Sequence, residues 1–323
     1  MVDRNRARWK SRLNIGLPPI CDSHEQAQAH LRDYGLALLS GAEDAQAIAA
    51  ARDRLVDQAG AERRAGIAVL EGEGPQSPAN YGKSGPNQRV WGLINKGEVF
   101  RRLACNRGVL RLISEEFRGD YAGPDVPVET GDVLLSSSTG NIVGSGGLPG
   151  RRHLDQRNAP FKTPYAMTFN AVWMLTDFTP HNGATLVAPG SHLATDPEAA
   201  YASPLVPAVA PAGTVMIMDG RLLHCTGGSQ CGQPRVGILN YYCRPFMRPQ
   251  ENYCLSLRPE AYAVCSDELK ALLGFKAWNT FGGVDGHHHG LLPVMRPSSV
   301  GELSLASDPP ELRATGETGP AHH

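Results

Sequence analysis

The sequence has no excess of charge of either sign: 31 Lys and Arg stand against 32 Asp and Glu, for a formal net charge of −1. That balance leaves no basic footprint for nucleic acid and no polybasic membrane anchor, so neither partner is expected. No apolar run approaches the roughly 18 residues a bilayer span needs. Residues 1–14 are charged and no apolar stretch follows them, which argues against a secretory signal. There is no Cys-x-x-Cys pair, and the 7 cysteines (Cys21, Cys105, Cys225, Cys231, Cys243, Cys254 and Cys265) are odd in number. In a chain of this length that predicts reduced thiols in a cytoplasmic protein, not a disulfide framework or a zinc knuckle. What is present points to a folded, turn-rich chain. Hydrophobic residues make up 41 %, enough to bury a core, and the 36 glycines and 25 prolines exceed ordinary usage.

The pattern changes along the chain. Residues 23–31 read as a short capped helix, Gly35–Leu39 as a strand, and Asp44–Asp57 as a helix. Glu71–Gln88 is a loop rich in Gly, Pro, Ser and Asn, of a length that usually serves function. Glu98–Phe117 reads as one helix, with Phe100, Leu103, Leu110, Ile113 and Phe117 at helical spacing. After Gly131 come short β-prone runs separated by turns: 132–137, 165–178, 184–188, 213–218 and 235–242. Asp267–Phe275 reads as a last helix. The expected class is mainly β with flanking helices, an antiparallel sandwich or barrel. Residues 1–22 read as an extension, 23–295 as a single domain and 296–323 as a mobile tail.

Among 11 histidines, two sit in informative contexts. His153 lies in Arg-Arg-His-Leu-Asp-Gln, and on an extended segment residues two apart share a face, so His153 and Asp155 can reach one ion. His224 follows the run 213–218 and comes from a different strand. Two histidines and a carboxylate leave three coordination positions open, the arrangement of non-haem iron(II) oxygenases. Arg235 follows the turn-rich stretch after His224. A buried guanidinium beside a metal needs an anion, and a dicarboxylate co-substrate that chelates the metal at one end would supply it at the other. A His-x-Asp triplet alone is a weak signal, a later lone histidine is more often structural, and an arginine after a turn is usually solvated. The joint pattern in a β-rich context is much more specific. His192 reads as structural at a strand-ending turn, and His287–His289 as a solvated loop.

The segments Arg-His-Leu-Asp-Gln at 152–156, Asn-Gly-Ala-Thr-Leu-Val-Ala-Pro-Gly-Ser-His at 182–192, Gly213 through Arg235, and Asn240-Tyr241-Tyr242 with Arg244-Pro245-Phe246 carry a resemblance. Over roughly residues 25–285 the chain resembles the phytanoyl-CoA dioxygenase family of Fe(II)- and 2-oxoglutarate-dependent oxygenases, and within it the natural-product-tailoring branch. The resemblance implies a double-stranded β-helix, or cupin-like jelly roll. It implies iron held by His153, Asp155 and His224, with 2-oxoglutarate and O2 as co-substrates and the C5 carboxylate on Arg235. It assigns supporting positions to Thr185, Thr226 and Trp173. Many relatives carry Gln two residues before the first ligand; Arg151 stands here, so the C1 carboxylate falls to Gln88 or Arg89. Relatives in this branch often form homodimers, which makes a homodimer a candidate assembly.

The expected reaction is oxidation of a small molecule, with release of succinate and CO2. Hydroxylation, desaturation, epoxidation and rearrangement are all open, whereas halogenation is disfavoured because Asp155 fills the position that halide would take. Tyr81, Trp91 and Phe161 are candidate pocket residues in segments of mixed polar and aromatic character, which suit a mid-sized, partly apolar natural product. No Lys/Arg cluster marks a coenzyme A phosphate site. Two other readings are a 2-oxoglutarate-independent iron oxidase, in which Arg235 has no role, and a silent binding protein on the same fold.

Overall fold

The computed structural model describes residues 16–72, 82–118, 133–158, 163, 165–194, 196–278, 281–283 and 290–291. Tyr81, Phe161, the His287–His289 run and the 296–323 tail fall outside the described residues.

The chain opens with β1 (Ile20–Cys21), α1 (His24–Tyr34), β2 (Leu36–Leu39) and α2 (Ala45–Arg64). Ser23 and Asp44 cap these helices, accepting from the N–H groups of Gln26 and Ala47. Helix α1 ends at Gly35, whose φ of 76° is left-handed and whose missing Cβ leaves room for His192. β3 (Val69–Glu71) and β4 (Asn87–Val90) come next, so both ends of the expected 71–88 loop are paired strand. The single helix read over 98–117 is two, α3 (Glu98–Ala104) and α4 (Arg107–Arg118). Asn106 makes the break: its side-chain oxygen accepts from Val109 N–H at 3.1 Å, and its amide donates to Ala42 O at 2.8 Å. An N-cap in mid-pattern restarts the helix without disturbing its apolar spacing.

The β region contains β5 (Leu134–Val143), β6 (Thr168–Met174), β7 (Leu186–Val187), β8 (Val206–Pro207), β9 (Val215–Asp219), β10 (His224–Cys225) and β11 (Arg235–Cys243), with a short helix α5 (Pro197–Tyr201) between β7 and β8. Short helices α6 (Tyr253–Ser256), α7 (Pro259–Ala263) and α8 (Asp267–Lys270) follow, the last continued by a turn at Ala271–Phe275. The large sheet runs β1-β2-β9-β6-β11-β5-β4-β3, antiparallel except for β1 with β2. A small sheet, β10-β7-β8, faces it.

Strand alternation divides the core. Phe169, Ala171, Trp173, Ile217, Ile238 and Tyr242 point outward and pack with Leu55, Phe100, Leu112, Ile113 and Phe117 of the helices. Leu36, Leu38, Val172, Met174, Met216 and Met218 point inward and pack with Ala184, Val187 and Leu222. Covering the large sheet on both faces explains why all seven residues of β6 are buried. The architecture is the expected jelly roll with buttressing helices.

One contact in the outer layer gives a stability prediction. Leu55 is fully buried, and a Cβ added at Gly140 would lie 2.4 Å from its Cδ1. Leu55→Ala should cost about 2–5 kcal/mol in urea unfolding. Gly140→Ala alone should also destabilise, but added to Leu55→Ala it should recover part of the loss by filling the space. Simple additivity in the double variant would show that the two sites do not share that space.

Candidate metal centre

His153 and His224 are joined through their backbones. The N–H of each donates to the carbonyl of the other at 3.0 Å, one antiparallel bridge outside the main ladders. His224 stands opposite Val187, so the small sheet holds the distal histidine. Leu223 N–H, bonded to Ser191 Oγ at 2.8 Å, fixes the approach to it. Asp155 opens a short helical turn (Asp155–Asn158) rather than continuing an extended run, yet His153 and Asp155 still converge.

Each imidazole is oriented in the same way. His153 Nδ1 lies 2.9 Å from Arg151 O, and His224 Nδ1 lies 2.9 Å from Leu222 O. A carbonyl only accepts, so the proton sits on Nδ1 and the Nε2 lone pair faces inward. Both Nε2 atoms lie 3.6 Å from the same carboxylate oxygen, Asp155 Oδ1. The three donor atoms are within 4.8 Å of one another, the one such group of three among the described residues. Burial would raise the Asp155 pKa, but His224, His153 and the Asn170 amide outweigh it and hold the carboxyl at about 2. Burial depresses the His224 pKa against the pull of Asp155. A carboxylate beside neutral imidazole is the protonation state a divalent cation requires.

Arg235 begins β11 on the inner side and is fully buried. Its guanidinium lies over the Phe178 ring, 4.5 Å from the centroid. Neither Nε nor Nη1 has a hydrogen-bond partner. Asn141, with its amide oxygen turned to the guanidiniums, accepts from Arg235 Nη2 and from Arg89 Nη1, each at 3.2 Å. Burial, and then the charge of Arg89, push the Arg235 pKa down to about 9. The group is therefore a buried cation at neutral pH with no carboxylate against it, a costly arrangement unless an anion completes it.

The other sequence candidates divide by face. Arg89, opposite Asn141 in the β4–β5 ladder, points inward, and its Nε donates to Glu71 at 2.5 Å. The shared Asn141 oxygen, 3.2 Å from a nitrogen of each, puts Arg89 beside Arg235. Gln88, one residue earlier, points to the helices: its amide donates to Ala59 O at 3.1 Å and accepts from Arg63 at 2.6 Å. Trp173 is likewise on the helix side, next to Ala171 and Phe169 in the outer core, so it does not border the centre. The inward positions of β6 are Thr168, Asn170, Val172 and Met174. Thr185 is buried just before β7, and Thr226, two residues past His224, accepts from Gly150 N–H at 2.8 Å through its carbonyl. Trp91 is 39 % exposed and borders an outer cavity with Arg54, Gln58, Asn95 and Arg258, apart from the triad.

Sequence reasoning missed Asn170, Tyr241 and Asn141. Asn170 Nδ2 donates to Asp155 Oδ2 at 3.2 Å, and Tyr241 OH to Asp155 O at 3.1 Å. The available signal was Asn170 alone, an amide inside the β-prone run 165–178; Asn141 lies beyond the run read at 132–137.

The family model for phytanoyl-CoA dioxygenase matches residues 31–237. Dioxygenase af480 of Aspergillus fumigatus is 32 % identical over 260 residues, which cover 77 % of this chain and 76 % of that one. Among solved structures, the epimerase SnoN in complex with Fe3+, alpha ketoglutarate and nogalamycin RO superposes with a TM-score of 0.53 at 20 % identity, covering 73 % of this chain and 90 % of its own. EctD from S. alaskensis, with 2-oxoglutarate and 5-hydroxyectoine, superposes at 0.51 and 20 % identity over 69 % of this chain and 76 % of its own. At that identity the two structures speak for the fold. No described helix is long and apolar enough to cross a membrane. The family match runs through all three donors and reaches Arg235, and the chain belongs to the phytanoyl-CoA dioxygenase family of non-haem iron, 2-oxoglutarate-dependent oxygenases.

Proposed function

We propose that this protein oxidises a C–H bond of a small-molecule natural product, using iron(II) at His153, Asp155 and His224 and 2-oxoglutarate anchored on Arg235. The observation that carries the reading is the buried Arg235 guanidinium, with two nitrogens unpartnered, facing the same interior as the triad. Two imidazoles and one carboxylate suit iron(II) and leave coordination positions for co-substrate and O2. When bound, iron with 2-oxoglutarate and O2 supplies an oxidant for an unactivated C–H bond, with succinate and CO2 as co-products.

The chain's own residues bind, orient and exclude water. Arg235 offers its unpartnered donors to the distal carboxylate, in a site dry enough for the pair to be strong. Asn141 spaces the two arginines and keeps both aimed inward. Arg89, held by Glu71, takes the second carboxylate, in place of the glutamine found in many relatives. Asp155 occupies its position with a carboxylate oxygen, so the outcome is oxygenation or a related oxidation, not halogenation. The substrate is assigned to the natural-product class, a reading that the neighbour SnoN supports, since that protein of the same fold is solved with nogalamycin RO. Residues 23–295 form the catalytic domain.

The test is an anaerobic titration. Adding iron(II) and then 2-oxoglutarate to the apoprotein should give the weak visible charge-transfer band of the chelate. Iron binding without that band would remove 2-oxoglutarate from the reading. Arg89→Ala should weaken 2-oxoglutarate binding by about tenfold or more, on the scale of a lost charge-assisted pair. A monocarboxylate 2-oxo acid separates the two arginines: its affinity should fall in Arg89→Ala and stay level in Arg235→Ala. Equal sensitivity in both variants would mean Arg89 does not hold the carboxylate next to the oxo group.

A further inference from the structure

Asp155 presents two oxygens with different surroundings. Oδ1 is 3.6 Å from both histidine Nε2 atoms, so it faces the donor cluster. Oδ2 is turned away and accepts from Asn170 Nδ2 at 3.2 Å. The backbone carbonyl of the same residue accepts from Tyr241 OH at 3.1 Å. Asn170 and Tyr241 are direct partners in the β6–β11 ladder, so one register position supplies both supports. Asn170 is 5 % exposed, and its Oδ1 has no partner. A buried amide beside Val172 and Met174 on the inward face of β6 costs stability, and no hydrogen bond explains its second atom.

We infer that Asn170 is a positioning residue that fixes Asp155 as a one-oxygen metal ligand. A carboxylate free to rotate can offer both oxygens to a cation and close a coordination position that the chemistry needs open. With Oδ2 engaged by the Asn170 amide, only Oδ1 is available. Tyr241 holds the Asp155 backbone, so the carboxylate cannot evade the constraint by moving as a unit. A hydrogen bond from outside the ligand set that orients a metal-bound carboxylate typically changes metal affinity by about 10- to 100-fold. This inference rests on the metal reading of the triad.

The experiment uses full-length apoprotein and cobalt(II) alone, whose visible d–d bands report coordination number without turnover. Asn170→Leu keeps the side-chain volume and removes the donor; Asn170→Ser is smaller and folds more readily. Wild type should bind one cobalt(II), and both variants should bind about 10- to 100-fold more weakly with altered band intensity. Thermal unfolding of the metal-free forms identifies which variants are folded. Affinity and spectrum within twofold of wild type in either folded variant would overturn the role of Asn170. If wild type binds no cobalt(II), the metal reading itself fails, a different result. Should neither variant fold, the wild type still decides. On zinc(II) binding, an asparagine side-chain amide should shift in a 15N-labelled NMR spectrum, and no shifted amide would overturn the inference.

Discussion

Replacing His224 with alanine should abolish iron(II) binding and turnover together, and His153→Ala should do the same. Each histidine offers Nε2 at 3.6 Å from Asp155 Oδ1, and each is already oriented by its own backbone carbonyl. Losing one imidazole leaves two donors, too few to hold a cation that readily exchanges into water. The backbone bridge between residues 153 and 224 uses N–H and C=O groups that alanine keeps, so the fold should survive. Anaerobic iron titration with a thermal melt separates lost metal from lost fold. Wild-type turnover in either variant would remove that histidine from the ligand set. Asp155→Gly should also end hydroxylation while leaving the Asn170 amide without its acceptor; full hydroxylation by that variant would contradict the role given to the carboxylate.

Arg235→Ala should raise the KM for 2-oxoglutarate by about 30- to 700-fold, which corresponds to losing about 2–4 kcal/mol from a charge-assisted bidentate pair. The same residue should show an opposite effect on stability. Without co-substrate, its guanidinium is buried and its Nε and Nη1 are unpartnered. Arg235→Met, which retains an apolar stem, should therefore melt at the wild-type temperature or above it. 2-Oxoglutarate with a redox-inert metal should raise the wild-type Tm, as any ligand of the folded state does, and leave the Arg235→Met Tm near its starting value. An unchanged KM, or an equal Tm rise in the variant, would show that another residue holds the carboxylate.

Much of the fold was legible because its signals are local. Ser23 and Asp44 cap the helices that follow them, and the β-prone runs after Gly131 became β5, β6, β7, β9 and β11 with shifted ends. The break at Asn106 was not legible, because apolar spacing runs unbroken from the first helix into the second. The tiny strands β8 and β10 carry too few residues for any periodicity. They exist because the small sheet closes over Val187 and Leu222.

The sequence by itself determined which donors exist and in what order: a His-x-Asp pair, a distant histidine and a later arginine, with no charge excess to suggest another partner. Those are choices of residue type, which chemistry reads directly. Only the tertiary structure decided which neighbours serve them. Gln88 and Arg89 are adjacent in sequence, as are Trp173 and Val172, yet one of each pair faces the helices and the other the interior. On a strand the side-chain period is two, so a one-residue difference in register moves a group to the opposite face. That register is set by pairing with residues far away in the chain: Asn170 beside Tyr241, and Arg89 beside Asn141.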